Sequence, residues 1–340
     1  MKEKKYNYMD NTSMKWRDKV TKFIKKVLPL IGLLIFIYLV ADIGLDKIVS
    51  AFLSLSPIYI VIVAILTIPR IIIRNIAWQM ILKQQRMHID FVTSLKIFLI
   101  GYFYATITPG YLGQLMRIPY LKDETDEPFG KLFVNTFIET SLHTLSLYGM
   151  MLIGTLLIIR DQPMFFYGTL TFIMVLLFIY WFFYKENRGK KFFNFFVKYM
   201  IPKKYKISAG WVVDSLYKDF PKIRMLVYPF LMGIVTWIIM FSQIYIIGLS
   251  LDIKVSYLHF LVLYPIANVI SFIPITSAGF GTREATVIFL LGLLDVAPEK
   301  ALVLSIAGFL ITDMLTGFYG FIISLLEGRK NKNQFKIYLR

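Results

Sequence analysis

The feature that most constrains this chain is a set of long, nearly uncharged apolar runs. Stretches such as 27–45, 165–184 and 227–251 are each long enough to cross a hydrocarbon layer about 30 Å thick. One soluble core of this size cannot bury several of them together. The composition points the same way, with 57% hydrophobic and 17% charged residues. A soluble domain is nearer a quarter charged. The sequence therefore predicts an all-α polytopic membrane protein.

Candidate spans lie at about 27–45, 57–82, 131–159, 164–184, 225–250 and 301–326. The regions 91–121 and 256–296 are interrupted by Pro and Gly and do not read as simple helices. About six to eight transmembrane helices are expected, with one or two re-entrant or broken-helix hairpins. No small-x-small cleavage site follows the first run, which reads as a retained span.

Lys and Arg set the orientation. The tail 1–26 carries nine of them, the connection 185–224 carries eleven and the tail 327–340 carries five. The connections 42–56, 160–163, 251–257 and 295–300 hold one each. If 91–121 crossed once, segment 185–224 would lie outside with its eleven positive charges. If 91–121 enters and returns, every strongly basic segment lies inside, together with both termini. A hairpin at 91–121 is the expectation. Region 256–296 is either a second hairpin from the opposite face or two short crossings. Hairpins from opposite faces would be compatible with an inverted repeat, as in transporters whose sites are built by broken helices. The domain reading is a basic cytoplasmic tail 1–26, one membrane domain 27–326 and a basic tail 327–340.

The net charge of +17 falls in segments that flank apolar spans, the pattern of lipid contact rather than nucleic-acid binding. In 185–224 the basic residues alternate with Phe192, Phe193, Phe195, Phe196, Tyr199 and Trp211. That mixture suits either a helix in the headgroup layer or an ordinary loop. The absence of cysteine excludes thiolate chemistry. Neither a Walker loop, a metal-ligand cluster nor a nucleophile elbow is present. No cofactor, no metal and no catalytic residue are expected.

Two motifs carry the functional reading. In Thr108-Pro109-Gly110-Tyr111-Leu112-Gly113-Gln114-Leu115-Met116-Arg117, Pro109 lacks an N–H and Gly110 and Gly113 favour non-helical backbone. Lipid tolerates such a break only beside protein or a watery cavity. A break can offer backbone N–H groups to an anion, with Arg117 about one turn beyond. The bland alternative is a kink with Arg117 reaching the interface. The second motif runs from Pro274 through Gly279, Gly281, Arg283 and Glu284 and repeats the chemistry, with Glu284 placed to orient Arg283.

Charges inside spans are costly and functional by default. Arg70 and Arg74 lie one turn apart, with Glu139 in span 131–159 and Asp313 in 301–326. Comparison of depths at about 1.5 Å per residue predicts pairs Arg74–Glu139 and Arg70–Asp313 lining a central polar cavity. Structural pairing alone is the competing reading. His143, one turn from Glu139, suits packing better than proton relay. Tyr104, Tyr111, Tyr264 and Trp237 read as packing aromatics.

The pattern P-G-x-x-G-x-x-x-R, an acidic residue in the next span, and then P-x-x-x-x-G-x-G-x-R-E resembles the lysylphosphatidylglycerol synthase transmembrane family. Pro109, Gly110, Gly113, Arg117, Glu139, Gly279, Gly281, Arg283 and Glu284 carry the resemblance. Gln114, Ala278 and Asp313 depart from it. The resemblance implies a flippase-like membrane domain that moves a lipid or lipid-linked headgroup between leaflets. It implies as partner an anionic phospholipid or a polyprenyl-phosphate lipid, with the phosphate held at the broken helices and arginines. Fourteen residues follow Leu326, so an additional aminoacyl-transfer domain is not expected and the chain is not expected to be an enzyme. Alternatives are a scaffold for a separate glycosyl- or aminoacyl-transferase, or a secondary transporter of a small anion. A homo-oligomer is compatible with the sequence.

Overall fold

A computed structural model describes residues 33–158, 218–272 and 279–328, together with Thr276 and scattered positions between 167 and 214. Most of the span expected at 164–184 and of the connection 185–224 lies outside the described residues, as do residues 1–32 and 329–340.

All regular structure among the described residues is helical. The helices are α1 (Leu33–Ile43), α2 (Leu45–Leu53), α3 (Pro57–Gln84), α4 (Phe91–Thr106), α5 (Arg117–Thr125), α6 (Phe129–Ile158), α7 (Ile223–Ser250), α8 (Tyr257–Ser271), α9 (Thr282–Gly292), α10 (Pro298–Phe309) and α11 (Leu315–Gly328). A 3₁₀ turn, Leu112–Met116, leads into α5, and a π segment, Leu310–Met314, joins α10 to α11. Pro57–Gln84, Ile223–Ser250 and the continuous Pro298–Glu327 are long and apolar enough to cross a membrane. At 28 residues, α3 and α7 are each about 42 Å long. Their outward faces carry apolar side chains such as Ile58, Ile65, Tyr228 and Leu231, as lipid contact requires. Inside the connection expected at 42–56 the chain instead forms α2. Gly44 breaks the preceding helix at φ 96°, Asp46 lies in the first turn of α2, and Ile48 buries one face.

Side-chain contacts fix the directions of the elements. The turn 85–90, the start of α6, the start of α7 and the end of α11 share one end of the bundle. There Gln84 Nε2 donates to the Met225 carbonyl, Gln85 Nε2 to the Asp219 carbonyl, and Lys96 lies 3.4 Å from Glu327. Ser56, Ser250, Asp252 and Lys300 meet at the other end.

Region 91–125 leaves the first end and returns to it. Helix α4 starts on Asp90, whose carboxylate accepts the Thr93 N–H at 2.9 Å. It stops before Pro109, and Gly110 and Tyr111 (φ 59° and 56°) reverse the chain. The return limb then lies antiparallel on α4. Gly113 rests on the backbone of Tyr104 and Ala105, and Arg117 lies over Gly101. Region 256–296 is a second hairpin that enters from the opposite end. Helix α8 runs antiparallel to α7, with Tyr245 on Tyr257, Phe241 on Tyr264 and Trp237 on Phe272. Helix α9 then returns, and Lys300 in the first turn of α10 donates to the Asp252 carbonyl at the end it started from.

The two halves form an inverted repeat with a fixed register. One constant offset maps Pro57 onto Ile223, Gln84 onto Ser250, Phe91 onto Tyr257 and Arg117 onto Arg283. Arg86 and Asp252, equivalent by that offset, both take left-handed backbone at φ 59° and 51°. The Met87 N–H donates to the Leu82 carbonyl, as Ile253 does to Gly248. Asp90 caps α4 through the Thr93 N–H, as Ser256 caps α8 through the His259 N–H. Gly113 and Gly279 are equivalent, and each presses against the preceding limb of its hairpin. The longer return limb α9 lengthens the offset, and α6 then answers to α10 and α11 with Phe129 opposite Pro298.

Candidate functional site

The hairpin tips meet near the middle of the bundle, where the Tyr111 and Phe272 rings lie 5.2 Å apart. They wall a polar cavity of about 50 Å³, room for about three or four waters. Arg70, Arg74, Tyr102, Tyr111, Gln114, His143, Thr236, Trp237, Asn268, Ser271 and Asp313 are among the residues that line it. Many of these positions are repeat partners: Arg70 with Thr236, Arg74 with Met240, Tyr102 with Asn268, and Thr144 with Asp313. The cavity therefore sits on the axis that relates the two halves.

The expected Arg74–Glu139 pair is present at 3.2 Å. Glu139 also takes the Arg117 guanidinium at 2.7 Å, so one carboxylate bridges two cations. Arg70 and Asp313 share the cavity but do not pair, which corrects the sequence reading. An Arg70 Nη2 donates to the Thr312 carbonyl at 2.6 Å and to Thr316 Oγ1 at 3.1 Å. Asp313 accepts the Tyr102 hydroxyl and, at 3.2 Å, that of Thr312. The π segment explains the difference: it disturbs the regular ladder at Thr312, and Arg70 bonds to that carbonyl rather than to Asp313.

Arg117 and Arg283 are placed differently from expectation. Arg117 is fully buried, held by Glu139 and Gln114, and covered by the faces of Trp78 at 5.0 Å and Phe98 at 4.7 Å. That also excludes the alternative in which Arg117 reaches the interface. Arg283 bonds to Glu284 and to Ser305 Oγ at 3.2 Å, beneath the Phe309 ring. Neither arginine lines the cavity. Some of the backbone donors expected to hold an anion are used internally as well. The Gly113 N–H donates to Thr108 Oγ1 at 2.7 Å and the Gln114 N–H to the Tyr111 carbonyl. The Gly281 N–H donates to Glu284, which thus caps α9 while holding Arg283. Pro109, Gly110, Gly113, Gly279 and Gly281 shape the hairpins; Arg117 and Arg283 pin each hairpin to its neighbours. Pro274 lies outside the described residues.

His143 does not contact Glu139. Its Nε2 meets Thr236 Oγ1 at 3.2 Å and its ring lies 4.5 Å from Trp237. Arg70 bonding to Thr312 is the repeat image of this Thr236–His143 contact. Sequence reasoning missed Tyr102, Thr236 and Asn268, and assigned Tyr111 and Trp237 to packing. A polar side chain within an apolar span was the available signal. The buried Asn268 Nδ2 has no partner among the described residues, so the cavity holds an unused donor beside its two arginines. Among the described residues no cluster of His, Asp and Glu could hold a metal ion.

Residues 27–319 match the family model for the lysylphosphatidylglycerol synthase TM region. A UPF0104 membrane protein of Methanocaldococcus jannaschii is 23% identical over 337 residues, covering 92% of this chain and 97% of that protein. The match spans α1 to the start of α11, both hairpins and the cavity between them, and this chain belongs to the lysylphosphatidylglycerol synthase transmembrane family.

Proposed function

We propose that this protein is flippase-like and moves an anionic lipid, a phospholipid or a polyprenyl-phosphate lipid, between the leaflets of the cell membrane. The observation that carries this reading is the cavity itself. Two hairpins entering from opposite ends close on a buried site that presents Arg70, Arg74 and the Asn268 Nδ2, which has no partner among the described residues, in a bundle whose outer face is apolar. A buried guanidinium is costly unless its charge is used, and two of them facing one cavity select an anion. A volume of about 50 Å³ is too small for a complete headgroup, so this conformation corresponds to a closed state. Parting of Tyr111 from Phe272 would open it while the acyl chains stay in lipid. With the basic end in the cytoplasm, both termini lie inside and the site is reached alternately from each leaflet.

The test is the transbilayer movement of fluorescent phosphatidylglycerol in proteoliposomes, read by quenching of the outer leaflet. Wild type is expected to exceed protein-free vesicles, and Arg70→Ala and Arg74→Ala to fall well below wild type at equal folded content. Equal rates for wild type and both variants would remove the cavity arginines from the mechanism.

A further inference from the structure

We infer that Asn268 and Thr144 form a hydroxyl-binding subsite beside the cavity arginines, and that the headgroup carried is a phosphodiester bearing a neutral polyol such as glycerol or a sugar. What is carried rests on the lipid-transport reading; the subsite itself rests on the repeat.

The repeat contains a finished and an unfinished version of one contact. Helix α8 packs on α6 as α4 packs on α11. In the register of the two halves Asn268 is the image of Tyr102, and Thr144 is the image of Asp313. One copy is closed directly, because the Tyr102 hydroxyl donates to the Asp313 carboxylate. The other copy stays open. Asn268 is only 7% exposed, yet its Nδ2 has no partner among the described residues. The Thr144 hydroxyl gives its one proton to the Thr140 carbonyl at 2.9 Å, so its oxygen can only accept from a ligand. Both side chains line the cavity, and both are shorter than those of the closed pair. A donor and an acceptor therefore remain where the other copy has a complete bond. A buried polar group without a partner is costly, and a ligand that satisfies both groups recovers that cost.

The missing partner must accept from Asn268 and donate to Thr144. A hydroxyl does both, whereas an ionised phosphate oxygen only accepts. A bare anion answers Arg70, Arg74 and the Asn268 amide but leaves Thr144 without a donor. An ammonium donates but cannot accept, and it would share the cavity with Arg70 and Arg74, which repel it. A headgroup that joins an ionised phosphate to uncharged hydroxyls meets every demand at once. On a lipid that molecule is a phosphodiester, distinct from a lipid monophosphate and from a small inorganic anion.

The probes are phosphatidylglycerol and phosphatidylpropanol with the same acyl chains, which carry equal charge and differ only in the headgroup hydroxyls. Native mass spectra of the full-length protein, released from nanodiscs holding equal amounts of both, should show phosphatidylglycerol retained about tenfold over phosphatidylpropanol. Lipid held by charge alone gives no such preference. The preference should vanish in Asn268→Leu and in the isosteric Thr144→Val, and return in Thr144→Ser, which restores the acceptor. Equal retention of the two lipids by wild type overturns the subsite, and a preference that persists in both variants overturns its assignment to these residues. Phosphatidylethanolamine retained as well as phosphatidylglycerol overturns the polyol. Acyl-labelled forms of the two lipids are then followed across proteoliposome membranes, where phosphatidylglycerol should move about tenfold faster. Selective retention with equal movement of both lipids overturns the claim about what is carried. Selective retention with neither lipid moving faster than in protein-free vesicles overturns the transport reading while supporting the subsite.

Discussion

Glu139→Gln is the most informative single perturbation, because one carboxylate neutralises two guanidiniums. Arg117 is fully buried and its bond to Glu139 is 2.7 Å; Arg74 is 13% exposed and its bond is 3.2 Å. Glutamine keeps the shape and one acceptor but leaves two positive charges without a counterion. Breaking a buried pair in this way costs about 3–5 kcal/mol. The exposed fraction and longer bond put the Arg74 share near the lower end of the range for a charged hydrogen bond, about 1.5 kcal/mol. The assay is reversible unfolding in mixed micelles, followed by tryptophan fluorescence, with Trp78 beneath Arg117 as an internal reporter. In double-mutant cycles, Glu139→Gln with Arg117→Met should couple by about 2–3 kcal/mol and with Arg74→Gln by about 1 kcal/mol. If Glu139→Gln lies within about 1 kcal/mol of wild type, or if both cycles are additive, the triad does not pin the first hairpin and the reasoning fails.

Adding one methyl at Gly113 drives it into the Tyr104 carbonyl, and at Gly279 into Ser271 at φ 76°. Gly113→Ala should lose more than about 2 kcal/mol in the same unfolding assay, and the gap between Tyr111 and Phe272 should widen by spin-label distance measurement. Arg70→Lys keeps the charge but loses the planar guanidinium whose Nη2 reaches both the Thr312 carbonyl and Thr316; it should slow lipid movement about tenfold or more while leaving Glu139 paired. At the basic end, the Thr93 N–H holds the exposed Asp90 carboxyl below its usual range. A depressed carboxylate stabilises the fold above its unfolded pKa and ceases to do so as pH falls through the folded value. Hydrogen-exchange protection at Thr93 should therefore fall below about pH 4, whereas His259, capped by the non-titrating Ser256 hydroxyl, should keep its protection.

The sequence disclosed charge placement and backbone breaks, and it hid side-chain partners. Basic segments on one side of a parity argument required 91–121 to return, and Pro109 with Gly110 marked where. Equal depth was enough to pair Arg74 with Glu139, because both lie on regular helices. The same ruler failed for Arg70 and Asp313 because the π segment rotates the residues beyond Phe309 and offers a carbonyl instead. The partners of the glycine motifs were hidden for a related reason. Thr108 and Glu284 satisfy the freed N–H groups locally, and no spacing rule reports whether a donor already has an acceptor. Asn268 and Thr236, polar side chains within apolar spans, stand out as site residues once the two halves are superposed in register.

That register also separates scaffold from site without recourse to other sequences. Two copies of one backbone path, built by one chain, form a controlled comparison. What both copies retain is what the path requires: a glycine where the return limb touches its partner (Gly113, Gly279) and an arginine pinned beneath a ring (Arg117, Arg283). What only one copy carries is not needed to make that path. Arg70, Arg74 and Asp313 answer to Thr236, Met240 and Thr144, and those helices run the same course with neutral residues; Glu139 answers to Gly308 but is the counterion of Arg117, the part Glu284 plays for Arg283. Burying unshared charge opposes folding by several kcal/mol per ion, so the asymmetry is not explained by stability. The charges that break the symmetry converge on or beside the cavity at its axis, with Glu139 one contact behind Arg74. The scaffold is the symmetric part of this molecule, and the chemistry lies in its departures from symmetry.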